Sequence, residues 1–204
     1  SGKRLVLRDA RGNQEDLPLL DAPGGFCTPM VAGDRVVVAE ESGAGSTVVS
    51  LAADGSEAVP LVTRPGLLAF VPDPTGRWLA FTHVHETRGP YDGLEVVALD
   101  GSTPARRLVD TPCLAFAWLP DGEALLTVGV DEPGKRLWWT LHLVESGDSR
   151  RLAPFRPTRE MMFHLHFFEQ FVHSHPLVSP DGRYLVYATY ENAEGEPDAP
   201  NGTP

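Results

Sequence analysis

Ser179-Pro180-Asp181-Gly182-Arg183-Tyr184-Leu185-Val186-Tyr187-Ala188 decides the fold, because the chain states it three times. The other copies are Val71-Pro72-Asp73-Pro74-Thr75-Gly76-Arg77-Trp78-Leu79-Ala80-Phe81 and Leu119-Pro120-Asp121-Gly122-Glu123-Ala124-Leu125-Leu126-Thr127-Val128. Each runs Pro-Asp, then Gly (with Pro-Thr inserted once), two spacer residues and a Leu-led apolar run. Proline presets φ for a turn, aspartate can bond the backbone two residues on, and glycine supplies a positive φ. The β-branched and aromatic run that follows reads as a strand.

The neighbourhood of each copy extends the pattern. Leu114-Ala115-Phe116-Ala117-Trp118 precedes the second turn and reads as its hairpin partner. After it come a third strand, Leu137 to Leu143, a turn, Glu145-Ser146-Gly147-Asp148, and a closing strand, Ser149 to Leu152. Leu67 to Val109 has the same order, with a third strand at Leu94–Leu99, a turn at Asp100-Gly101-Ser102 and a closing strand at Ala105–Val109. A worn copy from Phe26 to Val62 has Ala32-Gly33-Asp34 at its first turn, without Pro-Asp, and Ala53-Asp54-Gly55 at its last. Four antiparallel strands recurring every 40-odd residues predict an all-β chain, a β-propeller of four-stranded antiparallel blades.

The phase of the repeat predicts about four blade equivalents that begin and end mid-blade. Arg4-Leu5-Val6-Leu7-Arg8-Asp9-Ala10-Arg11-Gly12 matches a third strand and final turn, so the N-terminal segment supplies the outer half of a blade. The segment up to Tyr190 supplies an inner half. Either the halves meet and close a small ring, or the chain is a piece of a longer propeller. The polar run Asn192–Pro204 and the opening Ser1-Gly2 favour the piece. Residues 1–190 are thus expected to be propeller, and 191–204 a polar loop or tail. Incomplete blades would also allow self-association.

The Pro-Asp-Gly-Arg-Tyr-Leu-Val-Tyr pattern resembles the PD40 (WD40-like) repeat of TolB-type bacterial propellers, over about Phe26 to Ala188. The resemblance implies a non-enzymatic scaffold that binds protein partners, in the periplasm or elsewhere outside the cytoplasm, although a cytoplasmic location stays open. The same repeat occurs in the gating propellers of prolyl-oligopeptidase-like serine peptidases. That leaves the alternative of a gating propeller whose catalytic domain lies outside this chain.

Composition narrows the function classes. The 204 residues can bury a sizeable core, and 42% hydrophobic with 22% charged residues is ordinary for a globular protein. The 20 Gly and 19 Pro concentrate at repeat turns and do not signal disorder. A net charge of −11 without a basic stripe argues against nucleic acid as partner. No apolar run is long enough for a transmembrane helix. Cys27 and Cys113 both open inner strands of different blades, positions too far apart to bridge, and read as buried thiols.

One interval breaks the period. Gly76 to Gly122 is 46 residues, whereas Gly122 to Gly182 is 60. The surplus lies in Pro154 to Phe171, where Met, Leu, Phe, Glu and Gln dominate and no β-branched residue occurs between Thr158 and Val172. Met161, Leu165, Phe168 and Val172 recur at helical spacing, and Thr158 is a suitable N-cap, so a short helix is predicted over 159–171. In a propeller this connection crosses one face toward the axis. Met161, Met162, Phe163, His164, Phe167 and Phe168, with His173 and His175 beyond, are therefore the candidate contacts for a protein partner or small ligand. The alternative is that these side chains fold down as local core, the usual fate of a helical stripe.

Six of the seven histidines fall in His-x-His pairs: His83-Val84-His85, His164-Leu165-His166 and His173-Ser174-His175. On a strand, residues two apart share a face and can ligate one metal. No carboxylate stands at fixed spacing with them, and a helix would part His164 from His166 by roughly 200°. No metal site and no cofactor is therefore expected. A lactonase-like, metal-dependent hydrolase remains a third reading.

There is no Gly-x-Ser-x-Gly nucleophile elbow. Gly43-Ala44-Gly45-Ser46-Thr47 lacks the lysine of a phosphate loop and reads as a hairpin. Glu40-Glu41 and Asp131-Glu132 are expected in solvated loops. Asp73, Asp121 and Asp181 have a sufficient task in their turns.

Overall fold

A computed structural model describes residues 3–7, 11, 17–22, 29–42, 45–54, 56–66, 68–83, 91–131, 136–172 and 174–190. Cys27, His85, His173, Glu132 and the 191–204 segment lie outside them. The chain divides into two compact units, Ser1–Val84 with Glu95–Arg107, and His85–Leu94 with Leu108–Pro204.

Among the described residues, three sheets have four strands each, joined antiparallel in chain order. They are β3 (Met30–Ala32), β4 (Arg35–Ser42), β5 (Gly45–Ala52) and β6 (Ala58–Arg64); β7 (Leu68–Pro72), β8 (Trp78–His83), β9 (Leu94–Ala98) and β10 (Arg106–Val109); and β11 (Cys113–Trp118), β12 (Ala124–Asp131), β13 (Arg136–Leu143) and β14 (Ser149–Phe155). A fourth sheet has two strands, β1 (Lys3–Leu7) and β2 (Leu17–Ala22). These are propeller blades, and the copy lacking Pro-Asp is as complete as the others.

In the first unit, two blades share a core of Ala32, Val37, Ala39, Val48, Val62, Phe70, Leu79, Phe81, Val97 and Leu99. Val36, Val38, Val49 and Leu51 bury the opposite face of the first blade. Continuous apolar runs such as Val36-Val37-Val38-Ala39 are what a strand covered on both faces requires. Arg64 Nη2 donates to Glu95 Oε2 at 3.0 Å, tying the two blades at their margin.

The Pro-Asp-Gly turns do the work their sequence implies. Asp73 is fully buried, and its carboxylate accepts from the backbone N–H groups of Thr75, Arg77 and Trp78 and from the Thr75 hydroxyl. Gly76 follows at φ +80°, and a Cβ there would stand 2.8 Å from the carbonyl oxygen of Ala32. Only glycine meets both conditions without strain.

Strands run further than the sequence suggested. Glu40 and Glu41, expected in a loop, lie in β4 opposite Thr47 and Ser46. The β4–β5 hairpin closes at Ser42 and Gly45, where a Cβ would meet Arg64 O at 2.2 Å.

In the second unit, the β11–β14 blade is followed by α1 (Arg159–His166) and α2 (Phe168–Phe171). The helix expected over 159–171 is thus two segments. Phe167, at φ −113° and ψ 31°, breaks the α1 backbone. Thr158 caps α1 as expected, its hydroxyl accepting from Met161 N at 3.2 Å. Beyond α2, Val178 bridges Leu185 across the third Pro-Asp-Gly turn, and Thr189 bridges Pro157. Cys113 is a buried thiol at the head of β11.

Candidate functional site

The interval that breaks the repeat has two faces. Met161, Leu165 and Phe168 point inward, at 5%, 1% and 3% exposure. The Phe168 ring sits 4.7 Å from that of Phe116 on β11 and meets Tyr91 edge-on at 5.6 Å. Met161 and Phe168 were candidate contacts in the sequence. Their burial removes both from any docking surface, because their period matches the side of the helix that β11 covers.

The outer face is different. Met162, Phe163 and Phe167 are 39%, 58% and 37% exposed. The Phe163 and Phe167 rings lie 4.8 Å apart, and Phe163 reaches Phe171 at 6.1 Å. Exposed phenylalanines are common singly, but a contiguous run of them on a short helix is a patch that solvation does not favour.

Imidazoles line one margin of this patch. His164 stacks on Phe171 at 5.2 Å and 19°, and His175 approaches the same ring edge-on at 5.6 Å. His166 instead packs edge-on to Phe167. The His164-x-His166 pair is therefore split by the helix, as its geometry demands, and α2 brings His164 and His175 to one ring. Burial, and secondarily the neighbouring His175, hold the His164 pKa below the usual imidazole range. Ser174 Oγ lies 2.9 Å from His175 Nδ1. Two imidazoles could contribute to a metal site, but among the described residues no group of three or more His, Cys, Asp or Glu stands together.

Residues that sequence reasoning passed over also matter here. His142, the one histidine outside the pairs, is buried on β13 with Nε2 2.9 Å from Thr127 Oγ1. Burial pushes its pKa down. Tyr187 joins Trp139 and Phe155 in an aromatic cluster, with ring centroids 5.6 and 5.0 Å away. Tyr187 follows the third Pro-Asp-Gly turn, and the bridge from Thr189 to Pro157, just past β14, joins its strand to the end of that blade.

These features define an all-β propeller-type chain bearing an aromatic insertion. Comparison with solved structures agrees on the fold. The chain is similar to TolB from Acinetobacter baumannii (15% identity, 74% of this chain and 37% of that one, TM-score 0.50). It is also similar to an oligogalacturonate lyase solved in complex with manganese (16% identity, 78% and 50%, TM-score 0.59) and to the oligogalacturonate lyase of Vibrio parahaemolyticus (15% identity, 76% and 48%, TM-score 0.58). The chain spans between about a third and a half of the length of these proteins. At such identity the likeness is one of fold, and the TolB resemblance of the Pro-Asp-Gly repeat is met by it. No protein-family model and no curated protein matches the sequence. Among the described residues, no helix is long and apolar enough to cross a membrane.

Proposed function

We propose that this chain is a propeller-type binding scaffold that captures a protein segment through the outer face of α1 and α2. The observation that carries this reading is the division of the α1–α2 segment into a buried and an exposed side. Met161, Leu165 and Phe168 satisfy the core, while Met162, Phe163 and Phe167 remain exposed beside them. The helix is therefore anchored without using its outer aromatics, and their removal from water is left for a partner to accomplish. Burying such side chains contributes about 25 cal/mol per Å2 of apolar surface, and rigid aromatics serve as anchors at low entropic cost. The partner has an apolar or aromatic face, and periplasmic location is proposed with it on the TolB likeness.

Panning a displayed peptide library on the purified chain tests this. Peptides with aromatic anchors should bind, and the double change Phe163→Ala, Phe167→Ala should weaken them at least tenfold while leaving the unfolding midpoint unchanged. Undiminished binding by a destabilised double variant would make the patch core and overturn the reading.

A second reading has its own observation. His164 and His175 face one ring, and His175 belongs to His173-Ser174-His175. One protein with the same fold is an oligogalacturonate lyase solved with manganese. On this reading the imidazoles contribute to a divalent-metal site, and the chain takes part in chemistry on an acidic saccharide. Calorimetric titration with Mn2+ decides it. Saturable binding abolished by His164→Ala or His175→Ala supports the metal reading, and no heat above dilution removes it.

A further inference from the structure

We propose that Met162 is a reversible oxidation site, at which a hydroperoxide converts the thioether to a sulfoxide and so weakens docking on the outer face of α1. The inference rests on the docking reading above and adds a means of control to that same surface.

Burial sorts the sulfur atoms of this chain. The sequence carries three methionines and two cysteines. Cys113 is a thiol, the more readily oxidised kind of group, and it is 1% exposed. Met161 is 5% exposed, and Met30 is half-buried against the core of the first unit. Met162 is 39% exposed. Among the described residues it is the sulfur most open to an oxidant in water, and susceptibility follows exposure.

The helix separates Met161 from Met162. Met161 N donates to the Thr158 hydroxyl at 3.2 Å, and Met162 N donates to the Thr158 carbonyl oxygen at 2.9 Å. Successive residues on a helix point roughly 100° apart. The cap therefore sets the register at which one thioether enters the core with Leu165 and Phe168 and the next leaves it. Residues four apart on a helix are neighbours, so Met162 stands one turn before His166. The His166 ring meets the Phe167 ring at 4.8 Å, and Phe167 lies 4.8 Å from Phe163. Met162 thus belongs to the same surface as the exposed rings. A thioether suits that surface, being apolar, polarisable and adaptable, and it packs well against aromatic edges. A sulfoxide does not. Its oxygen is a strong hydrogen-bond acceptor, and a partner that covers it strips away water without replacing the bond.

The step needs one co-reactant, a hydroperoxide such as hydrogen peroxide. The sulfur lone pair attacks one peroxide oxygen, so that an S–O bond forms and the O–O bond breaks. The other oxygen leaves as hydroxide and takes up the proton shed by the first, giving water. Sulfur gives up two electrons and the peroxide accepts them. Met161 is shielded in the folded chain, so the change falls on the surface and spares the contacts that anchor α1. Methionine sulfoxide reductases, one for each epimer, reverse the step, with a dithiol as the reductant.

The test treats the purified chain with hydrogen peroxide and follows three readouts: fragmentation mass spectrometry, thermal unfolding and binding of a fluorescent peptide with an aromatic anchor. Met162 should gain oxygen well before Met161 and Met30. Peptide affinity should fall by about fivefold or more, as the covering of an unpaired polar group implies. The fall should track the oxidised fraction of Met162 at an unchanged unfolding midpoint, and the two reductases should restore affinity. Met162→Leu, compared only with itself before and after peroxide, should show no response. That variant keeps both cysteines, so a response there would assign the loss to another group and overturn the proposal. Equal oxidation of Met161 and Met162 overturns it too, as does full affinity with Met162 oxidised, or a lowered unfolding midpoint. Failure of the untreated chain to bind any such peptide instead removes the docking reading, and this inference with it.

Discussion

Trp78-Leu79-Ala80-Phe81 and Tyr184-Leu185-Val186-Tyr187 follow the same turn and read alike, yet the first is mostly core and the second alternates between exposed and half-buried. Leu79, Ala80 and Phe81 are all at 0% exposure, whereas Val186 is at 70%. The turn chemistry shapes both strands equally. Burial depends on what packs against the strand: β8 pairs with β9 and shares the core of two blades, whereas Leu185 bridges Val178, Thr189 bridges Pro157, and Tyr187 packs on Trp139 and Phe155. A repeat motif therefore encodes a local conformation, and its energetic weight is set by the neighbour it receives.

The comparison breaks most directly at its two ends. Phe81→Ala should lower stability by about 3–5 kcal/mol in a urea titration, the sum of lost transfer energy and a cavity. Val186→Ala should stay within about 0.5 kcal/mol of the parent, as exposed substitutions do. A Val186→Ala loss as large as that of Phe81→Ala would mean the two strands are equally buried in solution.

The two faces of α1 repeat the contrast on a smaller scale. Leu165→Ala, at a position 1% exposed, should cost about 2–5 kcal/mol. Phe163→Ala should leave the unfolding midpoint in place and act only on binding. Equal losses from the two would turn the outer face into core.

The turns give a third, weaker contrast. The buried Asp73 carboxylate accepts several backbone N–H groups, so Asp73→Ala should cost about 1.5–3 kcal/mol. Asp181 is exposed, and Ser179 Oγ and Arg183 N donate to it at 2.6 and 3.1 Å. Those bonds hold its pKa below the usual carboxylate range, but water can replace them. Asp181→Ala should be clearly the milder variant in the same titration.

Much of this was legible in the sequence because it is local. Pro-Asp-Gly spacing specified the hairpins, the repeat specified four-stranded sheets, and Thr158 with the 161, 165, 168 spacing specified the start and inner face of α1. What was not legible is non-local. Met161 and Phe168 look as suited to docking as Met162 and Phe163 until β11 and Tyr91 are seen to occupy one side. The approach of His164 to His175 depends on the break at Phe167, where no glycine or proline marks it. Glu40-Glu41 read as a loop because charge suggested solvent, whereas β4 and β5 carry their pairing out to Ser42 and Gly45.

Protonation offers the finest test of what a complete blade confers. His142 is buried with Thr127 on neighbouring strands of the four-stranded β11–β14 blade. Its folded pKa lies below the unfolded value because burial disfavours the charged ring. The unfolded chain then binds more protons than the folded one as pH falls through the unfolded value, about 6.5. By linkage, the contribution of neutral His142 is fully present above that pH and is lost progressively below it. Unfolding midpoints should therefore fall between about pH 7.5 and pH 5.5, and His142→Gln should flatten part of that fall. His164 shifts in the same direction for the same reason, so His164→Gln should flatten a smaller share, being only half-buried. If His142→Gln declines as steeply as the parent, the β11–β14 interior admits a charged imidazole, and its burial protects the ring from solvent less than the completed sheet implies.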